Sequence, residues 1–287
     1  MTGVSAADFA VSGTTAVVTA VTPVTGVTGA YNVTVSGGDL AGHNGTVGLG
    51  LVGGASIADV AGNALTNLLV VGTPETYLMD NNYPGVTITS PTTSTSSGTT
   101  HTFTLSKAST DFEITDISTT SGSMSNFVAL SPTVYTATYT PAAGFSGTAT
   151  ITVDSASFVD GGGLPNSSGS LSLTVDTTPP TVTGISSTNA NGFYKTGSVI
   201  DISITFSEVA NVVTAAGIPT LLLETGATDR TAAYLSGSGT NTLIFRYTVQ
   251  AGDLSVDLDE QSASALATNG GTIKDIAGNN ATLSVPV

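Results

Sequence analysis

A five-residue turn recurs along this chain at intervals of about a hundred residues. It appears as Asp59-Val60-Ala61-Gly62-Asn63, as the altered Asp160-Gly161-Gly162-Gly163, and as Asp275-Ile276-Ala277-Gly278-Asn279. The first two copies are each followed by an acidic, proline-bearing joint, Met79-Asp80-Asn81-Asn82-Tyr83-Pro84 and Val175-Asp176-Thr177-Thr178-Pro179-Pro180. A repeat of this period with such punctuation describes a string of small domains, each one supersecondary unit stacked on the next. The joints divide the 287 residues into three expected domains, 1–80, 81–176 and 177–287, each the size of a small β-sandwich.

Composition fixes the class. Hydrophobic residues make up 40% of the chain, but Phe and Tyr number only 9 and 8 and Trp is absent, while Gly, Ser, Thr, Val and Ala dominate. That mixture suits thin strands and turns rather than thick helical cores. Period-two alternation is widespread: Ile202, Ile204 and Phe206; Leu243, Phe245, Tyr247 and Val249; Tyr31, Val33 and Val35; Tyr135, Ala137 and Tyr139. The expected fold is all-β, with antiparallel strands whose apolar face is buried. In 177–287 the pattern predicts strands near 181–188, 200–207, 219–225, 230–236, 242–250, a short one near 254–258 or 263–268, and 281–286. The segment 262–267 alone carries a hint of a helical turn.

The second domain gives a comparable series, from Val86-Thr87-Ile88 and His101–Leu105 to Leu171–Val175. The first does not. Its opening, Val4-Ser5-Ala6-Ala7-Asp8-Phe9, aligns with Ser109-Thr110-Asp111-Phe112, which follows the first two strands of the second domain. The first domain is therefore expected to lack its N-terminal strands and to present an unpaired sheet edge. Such an edge is a template for a strand from elsewhere. Either the chain is cut from a longer one at residue 1, or a neighbouring subunit supplies the strands.

The motifs Asp-x-Ala-Gly-Asn and Val-Asp-Thr-Thr-Pro-Pro, with Ile204-Thr205-Phe206-Ser207-Glu208 and Phe245-Arg246-Tyr247-Thr248-Val249-Gln250-Ala251-Gly252-Asp253, resemble bacterial Ig-like repeats of giant surface proteins of the adhesin and surface-layer type. The resemblance implies an extracellular or cell-surface tandem of Ig-like sandwiches, used as a spacer, often stiffened by calcium and without catalytic activity. The partners it implies are neighbouring Ig-like domains of the same or another chain, including a homopolymer.

Charge agrees with an ion-binding role. With 20 acidic against 5 basic residues the net charge is -15, which repels nucleic acid and anionic membranes and leaves carboxylates short of partners. No apolar stretch of about twenty residues predicts a membrane span. Residue 1 opens no secretory leader, so an export signal is expected elsewhere. In an Ig-type sandwich the start of the first strand, the loop after the second and the last inter-strand loop share the pole facing the preceding domain. In the third domain those places hold Asp176, Glu208 and Asp275 with Asn279, a hard-oxygen set suited to Ca2+. The bland alternative is that Asp275 and Asn279 only build a turn and Glu208 is solvated. At the preceding joint Lys107 and Leu164 stand in place of Glu208 and Asn279, which weakens a metal site; the ammonium is expected to pair with Asp160, Asp111 or Asp80, or to lie free at the surface. Asp253, Asp257, Asp259 and Glu260 fit no calcium loop and read as a solvated cluster, and Glu113 and Asp116 as rim charges.

Catalysis finds little footing. His43 and His101 lie in different expected domains with no Cys in the chain, and no Trp is present to wall a sugar cleft. The glycine run 161–163 does not join a strand to a helix as a phosphate cradle does.

Overall fold

The computed structural model describes residues 1–65 and 75–286, so the end of the run that follows the first turn copy lies outside the described residues. Among the described residues the ordered elements are strands, with three one-turn 3-10 segments at Ala6–Asp8, Leu40–Gly42 and Ile114–Asp116. The chain gathers into two compact units. One comprises Met1–Gly85, Ser106–Phe112 and Ser155–Ser167; the other comprises Val86–Leu105, Glu113–Asp154 and Ser168–Val287.

Five strands come from the first segment: β1 (Phe9–Ser12), β2 (Val17–Pro23), β3 (Tyr31–Ser36), β4 (Gly45–Leu51) and β5 (Glu75–Met79). They make a three-stranded sheet of order β1-β4-β5 and a hairpin β2-β3. Eight follow: β6 (Val86–Thr89), β7 (Ser94–Thr95), β8 (Thr99–Leu105), β9 (Ile117–Thr119), β10 (Gly122–Ser131), β11 (Val134–Pro141), β12 (Ser146–Val153) and β13 (Gly169–Asp176). These form two four-stranded sheets, β10-β11-β8-β6 and β7-β13-β12-β9, with β7 parallel to β13. Alternation puts Phe103, Tyr135, Ala137 and Tyr139 of one sheet and Ala149, Ile151, Val153, Leu173 and Val175 of the other in the core.

The two sets share one plan. The hairpin β2-β3 matches β10-β11, and β1-β4-β5 matches β9-β12-β13. A one-turn segment with the same capping geometry precedes each: Ser5 N–H donates to Asp8 Oδ2 at 2.8 Å, and Glu113 N–H to Asp116 Oδ2 at 2.8 Å. The first segment has no counterpart of β6, β7 or β8 among the described residues, so β3 pairs only with β2. The match also corrects the alignment drawn from sequence, because Asp8 corresponds to Asp116 and not to Asp111. Asp116 is accordingly a capping residue rather than a rim charge. The short string of Ser or Thr, Asp and Phe occurs in both places, and only the cap distinguishes them.

The third set is β14 (Val182–Ser187), β15 (Val199–Val213), β16 (Thr220–Glu224), β17 (Arg230–Ser236), β18 (Thr240–Thr248), β19 (Asp259–Glu260), β20 (Leu266–Ala267) and β21 (Thr272–Lys274). Their order is β14-β15-β18-β17-β16-β19, with β20 on β16 and β21 on the end of β15. Ile202, Ile204, Phe206, Leu221, Leu223, Leu243, Phe245 and Ile273 form one buried cluster. Three expectations change here. Strand β15 runs on to Val213 and is not a strand ending at 207 followed by a loop. The 281–286 stretch is no strand; Thr282 makes a single parallel bridge to Thr181. The hinted helical turn closes with one bond, Ala265 N–H to Ser262 O at 2.9 Å, then becomes β20, because Leu266 must enter the core opposite Leu221.

His101 in β8 is fully buried, edge-on to Tyr139 at 6.2 Å, and neither ring nitrogen has a hydrogen-bond partner. Burial lowers its pKa, because the charged form loses its water. Sign follows directly: the unfolded chain binds the proton more readily, so stability falls as pH drops through the ordinary histidine range, near 6.5. His101→Phe, which fills the site without a titrating group, is expected to flatten the change in urea midpoint between pH 7.5 and 5.5. Equal midpoint shifts in both proteins would refute this.

Candidate metal site at a domain joint

Three separate elements deliver the carboxylates. Asp176 ends β13, and Pro179 and Pro180 just beyond it fix φ and contribute no N–H, which keeps the linker extended. The linker is then laced to β15: Ser207 N–H donates to Thr181 O at 2.8 Å, and Thr181 N–H to Ser207 Oγ at 3.0 Å. Glu208 follows within β15 itself. Thr205 pairs with Thr242 and Ala210 with Thr240, so the four residues 206–209 face a single residue of β18. This bulge frees Glu208 from the ladder and turns it towards the linker.

Asp275 opens the recurring turn. Asp275 N–H donates to Asn279 O at 3.1 Å, Asn279 N–H returns to Asp275 Oδ1 at 2.8 Å, and Gly278 supplies φ of 96°. The Asn279 amide nitrogen donates to Asp275 Oδ2 at 2.7 Å and to the Asp176 carbonyl at 2.9 Å. Asn279 thus clamps the turn to the linker, a positioning task that its sequence place alone did not reveal. On the other side, Ser96 Oγ, between β7 and β8, donates to Ala277 O at 2.8 Å.

The result is that one carboxylate oxygen each of Asp176, Glu208 and Asp275 lies within 4.8 Å of the other two. Asp275 is buried and the other two are half-buried, and none of the three forms an ion pair among the described residues. Burial, then the charges of Asp176 and Asp275, raise the pKa of Glu208. Oxygens bound to one calcium at about 2.3–2.6 Å lie at most about 5 Å apart, so the spacing suits a shared hard cation.

The other copies of the turn have the same frame. Asp59 Oδ1 accepts from Ala61 and Asn63 N–H at 2.8 Å each, and Asn63 Nδ2 donates to Asp59 Oδ2 at 2.8 Å. Asp160 Oδ1 accepts from Gly162 and Leu164 N–H at 2.9 Å each, so the Leu164 backbone does what the Asn279 backbone does. Beside it, Lys107 Nζ lies 2.8 Å from Asp80 Oδ2 and 3.2 Å from Asp160 Oδ2 and also donates to the Asn82 carbonyl. Asp111 does not join this group; it accepts from Ser109 Oγ at 2.6 Å and from Val159 N–H.

The cluster 253–260 separates on inspection. Asp253 is not solvated: it takes Arg230 Nε at 3.0 Å, Gln250 N–H at 2.7 Å and the Tyr247 hydroxyl, with its side chain 5% exposed. It holds the corner after β18, which accounts for the Tyr and Asp of the Phe245–Asp253 motif. Asp257 and Asp259 remain exposed.

Residues 80–175 match the family model described as bacterial Ig-like domain. Among solved structures, the Escherichia coli adhesin FdeC is 13% identical, over 98% of this chain and 85% of that one, with a TM-score of 0.33. The Yersinia pseudotuberculosis adhesin InvE is 15% identical, over 62% of this chain and 58% of that one, with a TM-score of 0.27. No curated protein matches the chain.

Proposed function

We propose that the chain is a non-catalytic structural segment of a bacterial surface protein of the adhesin type, an extracellular spacer of Ig-like sandwiches. Its joint between 81–176 and 177–287 is stiffened by Ca2+ held by Asp176, Glu208 and Asp275, with Asn279 fixing the turn. The observation that carries this reading is the convergence of three carboxylates, from a linker, a strand bulge and a turn, without a cationic partner. Repulsion among them opposes closure of the joint, and a divalent ion turns it into attraction. Calcium suits the donor set because it accepts six to eight oxygens in flexible geometry, with carbonyls and water completing the shell. The family of the middle segment supports the surface role.

Small-angle scattering of the full chain with 2 mM CaCl2 and with chelator tests it. The expected result is a smaller spread of conformations with calcium, and a Glu208→Gln chain that behaves alike in both. Identical profiles for the unaltered chain would count against the reading.

One observation favours a second reading. Among the described residues β3 has one neighbour, whereas its counterpart β11 lies between β10 and β8. A strand from another copy added to β3 would make the chain a subunit of an extracellular filament, sheath or surface layer. Electron microscopy of concentrated protein distinguishes the readings, since regular fibres support assembly and separate particles support a spacer.

A further inference from the structure

The joint before 81–176 repeats the backbone bonds that lace the joint before 177–287. Ser167 N–H donates to Pro84 O at 2.9 Å, as Thr282 N–H does to Pro180 O at 2.8 Å. Gly85 N–H donates to Ser106 Oγ at 2.8 Å and Ser106 N–H to Gly85 O at 2.9 Å, as Thr181 and Ser207 do. These bonds equate Asp80 with Asp176, Lys107 with Glu208 and Asp160 with Asp275. Two carboxylates are common to both joints, and one position differs in the sign of its charge.

At that position the ammonium has its three protons directed at three oxygens: Asp80 Oδ2, Asp160 Oδ2 and the Asn82 carbonyl. An exposed ion pair is ordinarily worth little. Here the Lys107 side chain is 21% exposed and that of Asp160 only 7%, and the accepting oxygens fall on a linker and a turn that must stay together. The ammonium therefore acts as an anchored cation does, collecting oxygens from elements far apart in sequence.

We propose that Lys107 is the resident cation of its joint, and that the residue at this position decides whether a joint takes a divalent ion. The contrast with a calcium-dependent joint rests on the function proposed above; the role of Lys107 does not. One joint ignores calcium and its neighbour answers to it, so loss of calcium loosens the array at a single place. Lys107→Glu removes the ammonium and adds a third carboxylate, which rebuilds the donor set of the other joint around Asp80, Asp160 and the Asn82 carbonyl. Lys107→Met keeps the length of the side chain and supplies neither.

Calcium titration calorimetry and thermal melts of the full-length chain test this, with CaCl2 as the probe. K107E is expected to bind one more Ca2+ per chain than the unaltered protein, and to melt lower in chelator but recover in calcium. K107M is expected to bind no extra ion and to melt lower in both. The proposal is overturned by a K107E chain that takes up no additional ion, by one that is unfolded in chelator and in saturating calcium alike, or by a K107M chain that melts as the unaltered one does. The two ideas fail separately. An unaltered chain that binds no calcium beside a K107E chain that binds one removes the proposed metal at Asp176 and leaves Lys107 as argued; one ion in each does the reverse.

Discussion

Calcium at a thousand times its dissociation constant is expected to stabilise the folded chain around Asp176, Glu208 and Asp275 by about 4 kcal/mol, and Glu208→Gln to remove most of that gain. The stabilisation is mass action: the folded chain gathers Asp176, Glu208 and Asp275, and the unfolded chain scatters them over a hundred residues. Urea denaturation with saturating CaCl2 and with chelator measures it, and a midpoint independent of calcium would contradict it. The metal-free protein carries a further signature. Burial and two neighbouring carboxylates raise the pKa of Glu208. Its contribution to stability is therefore fully present below the ordinary glutamate pKa and is lost as pH rises through the higher folded value. In chelator, E208Q should be the more stable protein at pH 7 and should lack this loss.

Phe245→Ala is expected to cost about 3–5 kcal/mol, the range for a buried aromatic whose removal leaves a cavity. Phe245 is fully buried, meets Tyr234 edge-on at 5.8 Å and sits in the cluster that joins β15, β16 and β18. A domain of this size has only about 5–15 kcal/mol in total, so the substitution consumes a large share. Differential scanning calorimetry of the full chain should show the transition that involves β14–β21 move down by many degrees. A loss below about 1 kcal/mol would mean that the core repacks around the gap or that Phe245 is not in it.

Alternation made much of this fold readable. Ile202, Ile204 and Phe206, like Leu243, Phe245 and Tyr247, are buried one after another as period two requires, and Tyr135, Ala137 and Tyr139 likewise. Tyr31, Val33 and Val35 obey the same rhythm but stay half-buried, because among the described residues β3 pairs only with β2. Where alternation breaks, the reading broke too. Residues 206–209 form a bulge, so the alternation of β15 stops before Glu208 although the strand does not. Strand β21 has three residues beside a glycine pair and owes its pairing to β15, a tertiary cause with little local signal.

The convergence of Asp176, Glu208 and Asp275 was legible because sandwich topology sets which chain ends share a pole. Hydrogen bonding within that pole was not. Asn279 offers an oxygen and a nitrogen, and only the geometry shows the nitrogen engaged with Asp275 and Asp176. The sequence places several acids within reach of Lys107, and its choice depends on Asp111 being occupied by Ser109 and Val159. Asp253 appeared to be one of four solvated acids until Arg230, from a different strand, was placed beside it.

Acidic side chains where two sandwiches meet are proposed to hold a divalent cation that ties them together. A crystal structure of the chain grown in CaCl2 tests it most directly. The expected density holds a single ion with oxygens of Asp176, Glu208 and Asp275 in its shell at about 2.3–2.6 Å. Well-ordered density with those three side chains turned apart and no ion among them would contradict it.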